Sequence, residues 1–250
     1  MTNTAASGYS NPEQILAMAE SLYHRGRCDE AVDLLIAASR QVPDDRRFSM
    51  KLAVLLLDSD QIPDAMSVLQ TIPTVDDDFE LRVLEGRCHV GMGNFNQALL
   101  SAEQLMASGR HHAGAYYLKG MVAYHAGDPQ NAEALLSNAL ELDPNNGEVY
   151  QYLGLLKKQN GPAEAALDIL EKGFNSAPTA RSVVLAYHNE IVAQSDFDRA
   201  ERAFSEAISQ YPDNQRLRFL YIDMMLRIER FKPAMDAIED CLGRFGSDPG

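Results

Sequence analysis

Few stretches of this chain hold residue types that could do chemistry. Arg110-His111-His112, with Cys88-His89 upstream, supplies the imidazole and thiol donors of a zinc site. Adjacent histidines point in different directions, however, and no spacing supplies a fourth ligand. The acid run Asp76-Asp77-Asp78 offers carboxylates, but no EF-hand spacing follows it. Acids that favour a helix N-terminus explain the run better. Gly91-Met92-Gly93 has the glycines of a phosphate loop without the lysine-serine pair, and reads as a turn. No Ser, His and Asp can be ordered into a nucleophilic triad. The expectation is a chain with no catalytic residues, no metal and no cofactor.

Composition narrows the class further. The chain has 22 basic and 36 acidic residues, a net charge of −14. Such a balance argues against binding phosphate backbones or anionic lipid, both of which need Lys and Arg. The longest apolar patch, Leu52-Ala53-Val54-Leu55-Leu56-Leu57, is too short to cross a bilayer. Met1 to Asn11 is polar and lacks the basic and apolar regions of a signal peptide. Cys28, Cys88 and Cys241 are odd in number, widely spaced and without a CxxC, which points to the cytoplasm. Cys88 and Cys241 fall on inward helix faces and read as small core residues.

What must position these residues is a repeat. Ala31, Ala65, Ala98, Ala132, Ala166, Ala200 and Ala234 recur at intervals of 34, 33, 34, 34, 34 and 34. The glycine pair Gly86/Gly93 returns as Gly120/Gly127 and Gly154/Gly161, and prolines close units at Pro43, Pro144, Pro178 and Pro212. The units are 12–45, 46–78, 79–112, 113–146, 147–180, 181–214 and 215–246, with short tails at 1–11 and 247–250. Each reads as two helices. In the fourth, Ala113 to His125 is followed by the break Gly127-Asp128-Pro129. Asn131 to Leu142 then places Ala132, Leu135, Leu136, Ala139 and Leu140 on one helical face. Gly120 and Ala132 sit where the two helices would cross, because a larger side chain there would force them apart.

The unit with Tyr116, Gly120, Tyr124, Gly127-Asp128, Ala132, Ala139 and Asp143-Pro144-Asn145-Asn146 resembles the tetratricopeptide repeat family. The next unit matches through Tyr150, Leu153-Gly154, Gly161, Ala166 and Pro178. The first matches through Ala19, Tyr23, Gly26, Ala31, Ala38 and Pro43. His188 and Ile222 stand where the family has a small residue, so the last two hairpins are expected to be splayed. The resemblance implies an all-α, right-handed α-solenoid whose first helices line a concave groove. It further implies an adaptor or scaffold that holds a peptide or helix of a partner protein in that groove.

Groove positions on the first helices carry six acids, Glu13, Glu20, Asp58, Glu80, Glu148 and Asp223. They also carry six bases, Arg47, Lys51, Arg87, Lys158, Arg216 and Arg227. The excess acid therefore belongs to the convex face and loops. The residues expected to meet a partner are Lys51, Arg87, Tyr117, Met121, Tyr124, Tyr152, Leu155, Lys158 and Asn189. Aromatic and methionine side chains on a polar concave face suit recognition. Neither specialised groove of the family is matched. A carboxylate clamp would place its cations and amides at Leu16 with Glu20, Lys51, and Val83 with Arg87. An asparagine ladder would use the places of Ala17, Lys51, Leu84, Leu118, Tyr152, Ala186 and Leu220. Met235, Ile238, Leu242 and Phe245 in the final helix, Pro233 to Phe245, leave apolar surface for self-association or a following domain; part of that surface is expected to pack on Phe219 and Met224. Two alternatives stand beside the adaptor: the recognition module of a longer glycosyltransferase, sulfotransferase or methyltransferase, and a self-assembling scaffold.

Overall fold

The computed structural model describes residues 11–73, 78–107 and 112–246, and among these there are fourteen helices and no strand. They are α1 (Pro12–His24), α2 (Cys28–Gln41), α3 (Arg46–Asp58), α4 (Ile62–Leu69), α5 (Phe79–Gly91), α6 (Phe95–Ala107) and α7 (Ala113–His125). The remainder are α8 (Pro129–Leu142), α9 (Gly147–Asn160), α10 (Ala163–Ser176), α11 (Arg181–Gln194), α12 (Phe197–Gln210), α13 (Gln215–Arg227) and α14 (Phe231–Phe245). Each repeat contributes one hairpin. The fourth hairpin has the expected first helix, and its second begins two residues early, at Pro129. The last helix likewise begins at Phe231 rather than Pro233.

The hairpins are set by their ends. Asn11, Asp128, Asn146 and Asn214 accept hydrogen bonds from backbone N–H groups of the first turn that follows each of them. Asp78, in the acid run, accepts from Leu81 N and caps α5 while receiving a bidentate pair from Arg46. The helix-end reading of that run therefore holds at Asp78, and Asp76 and Asp77 lie outside the described residues. At the fifteenth place of the repeat the chain must turn through the left-handed region. Gly26, Gly93 and Gly127 do so with φ of 76°, 74° and 75°, and Asp60, Ser195 and Glu229 do so with φ of 57–60°. Gly161 is the exception, with φ −138°. It precedes Pro162, and a proline ring pushes the preceding residue into extended backbone.

The helices fall into two compact units that divide at Pro144/Asn145. In the first, α2 packs on α3, α4 on α5 and α6 on α7, while α3, α5 and α7 also touch in series. In the second, α10 packs on α11 and α12 on α13, while α9, α11 and α13 touch in series. First helices thus form a continuous row in each unit, and second helices alternate behind them.

Core packing follows one pair of places, the eighth in the first helix and the twenty-fourth in the second. Gly120/Leu136 and Gly154/Leu170 each set a small residue against a buried leucine, and the same places hold the buried pairs Ala19/Leu35 and Ala53/Leu69. A Cβ at Gly120 would lie 2.7 Å from Leu136 Cδ2, and one at Gly154 would lie 2.6 Å from Leu170 Cδ2. The third repeat has Gly86 opposite Ala102, and Leu118 of α7 fills the gap instead. The sixth has His188 against Phe204, and α11/α12 is far more open than α7/α8 or α9/α10. Of the two hairpins expected to splay, the sixth is therefore the more open.

On the second-helix side of the second unit, arginines tie neighbours together. Arg199 of α12 donates to Glu164 at 2.9 Å, Asp168 at 2.7 Å and Glu171 at 2.6 Å, all on α10. Arg230 reaches Asp198 and Glu201 on α12 in the same way. The Arg199 hydrogen bond holds the Glu171 carboxyl below the usual carboxylate value of 4.5, against burial, which raises it. A carboxyl depressed in the folded state stabilises above its unfolded value, and that contribution disappears as pH falls through the lower, native one. Arg199→Gln is expected to cost about 1–3 kcal/mol at neutral pH. It is also expected to make stability less steeply dependent on pH below 4.5. Urea titrations at several pH values check this, and an unchanged acid limb would contradict it.

Candidate functional site

The two first-helix rows are the surfaces that the repeat frames. Most of their charges are paired, largely across repeats. In the first unit, Arg47 donates to Glu13, and Lys51 Nζ lies 3.3 Å from Glu20 Oε1. Asp58 accepts from Tyr23 Oη at 2.9 Å and lies 3.8 Å from Arg87. In the second unit, Lys158 Nζ donates to Glu190 Oε2 at 2.7 Å, and Gln194 Nε2 donates to the other oxygen at 2.9 Å. Burial pushes the Glu190 carboxyl up, but its hydrogen bonds with Lys158 and Gln194 outweigh this and leave it below the ordinary range. Asp223 accepts from Arg227 Nε at 2.7 Å. The balance of acids and bases counted along the sequence is thus, for most of these groups, a set of contacts.

The residues expected to meet a partner separate into two groups. Tyr117 and Met121 are in the core, at 3 % and 6 % exposure, and offer little surface. Tyr124 and Tyr152 are half-buried, and Leu155, Lys158 and Asn189 are exposed. Lys51 and Arg87 are partly covered and engaged in the pairs above. The second unit therefore presents Tyr152, Leu155 and Lys158 on α9 beside Asn189 on α11. Sequence reasoning missed Glu190, which is buried behind Lys158. The signal was available as opposite charges 32 residues apart, nearly one repeat.

His188 is the other buried polar group here. Its Nε2 stands 3.2 Å from Asp223 Oδ2, outside hydrogen-bonding geometry, and its ring meets Phe204 edge-on. It fills space that a small residue leaves open in other repeats.

The remaining chemical candidates have structural positions. His112 accepts from Gly114 N at 3.2 Å, caps α7 and lies 5.3 Å from the Phe79 ring. Arg110 and His111 lie outside the described residues. Cys88 is fully buried, and burial pushes its thiol up to about 11; Cys241 is buried too. Gly93 makes the left-handed turn after α5. Among the described residues, no cluster of His, Cys, Asp and Glu is disposed to hold a metal, and no helix is long and apolar enough to cross a membrane.

Stacked helical hairpins of this period, with small residues at the crossings, define a helical-repeat solenoid. Tetratricopeptide repeat profiles match residues 22–84, 83–147, 123–185 and 192–248, and the chain belongs to that family. It is 28 % identical to tetratricopeptide repeat protein 37 of Xenopus laevis over 134 residues, 51 % of this chain and 9 % of that protein. It is 28 % identical to BBSome complex member BBS4 of Bos taurus over 123 residues, 49 % of this chain and 24 % of that one. The chain thus spans under a quarter of the length of both relatives. Among solved structures, it resembles a thermophilic tetratricopeptide repeat protein of Thermus thermophilus with a TM-score of 0.58 and 22 % identity. That match covers 72 % of this chain and 98 % of the other. The Cut9–Hcn1 hetero-tetramer of APC/C aligns with a TM-score of 0.52 and 18 % identity, over 85 % of this chain and 42 % of that one. Both likenesses concern the fold.

Proposed function

We propose that this protein is a non-enzymatic scaffold that binds an extended segment or helix of a partner protein along a first-helix row. The observation that carries this is the surface of α9 and α11. There Lys158 is neutralised by Glu190, leaving a row without excess charge that exposes Leu155, Asn189 and part of Tyr152. Tyr152 and Leu155 supply apolar anchorage, and the Asn189 amide can both donate to and accept from a peptide backbone. The same mode of binding would also serve the alternative, a recognition module of a longer enzyme. We also propose a cytoplasmic location, in which the thiols of Cys28, Cys88 and Cys241 stay reduced.

The experiment uses a partner captured with the wild-type chain. Tyr152→Ala combined with Leu155→Ala is expected to weaken that partner by about 2 kcal/mol, roughly thirty-fold in Kd, with helicity and melting point near wild type. Tyr117 is left intact, because its burial would mix binding with stability. Glu206→Ala, on the exposed side of α12, is the control and should bind normally. Normal binding by the double variant would remove the proposal.

A further inference from the structure

The last repeat leaves open a face that the repeats before it cover. Apolar residues at the fifth and twelfth places of a first helix, and at the twenty-first and twenty-eighth of the hairpin, are buried in several earlier repeats, whereas the polar Lys158 at the twelfth place of the fifth repeat is exposed. Met50, Val90, Leu167 and Phe174 hold these places in earlier repeats and are 5 % exposed or less. The Phe174 ring, for instance, lies 5.0 Å from that of Tyr187 in the following helix. The same places in the last repeat hold Phe219, Leu226, Met235 and Leu242, which are 46–65 % exposed. Phe231 beside them is 60 % exposed. Phe219 thus points away from the hairpin interior, contrary to the expectation that it would bury part of α14, whereas Met224 does turn inward. Ile238 and Phe245 are half-buried, so the open surface is carried by Met235 and Leu242 rather than by all four residues. A cluster of this size is uncommon on a surface that meets only water.

Charge and register identify what fits it. The last repeat has six basic and five acidic residues, a net +1, while the rest of the chain carries −15. Two copies can therefore approach by this end without bringing their acidic bodies together. Lys232, Met235, Glu239 and Leu242 follow a 3, 4, 3 spacing, which is the stripe of a helix that packs against another helix. All four are exposed. If two α14 helices run antiparallel about a two-fold axis near Met235 and Asp236, each Lys232 faces the other copy's Glu239. A head-to-tail stack finds a poorer partner: where α11 buries Val183 and Tyr187 at the third and seventh places, α1 has Gln14 and Met18, so half of that pair is polar. We propose that the open face of α13 and α14 binds the same face of a second copy of this chain, antiparallel and two-fold symmetric.

Sedimentation of the 250-residue chain between about 1 and 100 μM tests this. A reversible monomer–dimer equilibrium is expected, with the 27.6 kDa monomer at the low end. Met235→Glu combined with Leu242→Glu should abolish the dimer while leaving helicity and the partner binding of the α9/α11 row unchanged. Lys232→Glu should weaken the dimer by about ten-fold, and Glu239→Lys added to it should restore affinity. A monomer throughout the range overturns the proposal. So do open higher oligomers, a dimer indifferent to Met235 and Leu242, and a charge reversal that does not restore affinity.

Discussion

Phe204→Ala is expected to lower the unfolding free energy by about 3–5 kcal/mol, the range for deleting a fully buried aromatic side chain. Phe204 is fully buried, with ring centroids 4.9 Å from Phe174 and 6.1 Å from Tyr187. It joins α12 to α10 and α11 where the α11/α12 hairpin is open. With few other contacts between these two helices, the cavity cannot close by a small shift. The Tyr187 hydroxyl, which donates to Glu171 at 3.3 Å, would lose the packing that holds its ring. Ile238 occupies the same place in the last repeat but is half-buried, so Ile238→Ala should cost less. Urea denaturation of both variants measures the contrast. A loss below about 1 kcal/mol at Phe204 would show that this aromatic group does not hold the sixth repeat.

The second large effect belongs to the crossing of α7 and α8. Leu136→Ala should cost about 2–5 kcal/mol, because Leu136 is fully buried against the Gly120 backbone. Gly120→Ala should cost about 1–3 kcal/mol by overpacking, since its Cβ would meet Leu136 Cγ and Cδ2 at 2.7 Å. The double variant should be more stable than the sum of the two losses predicts, by about 1–2 kcal/mol. The new methyl group then enters space that Leu136 has vacated, and alanine also favours helix over glycine by about 1 kcal/mol. Strict additivity in this cycle would mean that the two residues do not share one space.

The repeat, its paired helices and the inward cysteines were legible in the sequence, because each follows from local periodicity. A helix needs an apolar face, a tight crossing needs a small residue, and a hairpin turn needs a residue that tolerates the left-handed region. The departures at His188 and Ile222 were legible for the same reason. What the sequence left open is which exposed-looking positions a neighbouring repeat covers. Tyr117 and Met121 share a helix face with Tyr124, and only packing against other helices buries the first two. Phe219 reads as a core residue of its own hairpin, yet its place in the repeat faces the next repeat. The groove charges could be counted from the sequence, but their cancellation is a tertiary matter. Glu13 meets Arg47 and Lys158 meets Glu190 across 34 and 32 residues, because stacking brings successive first helices side by side. Periodicity within one helix reports the face that can be buried. Which of those faces is buried depends on the size of the neighbour's side chains, and only the stacked structure decides it.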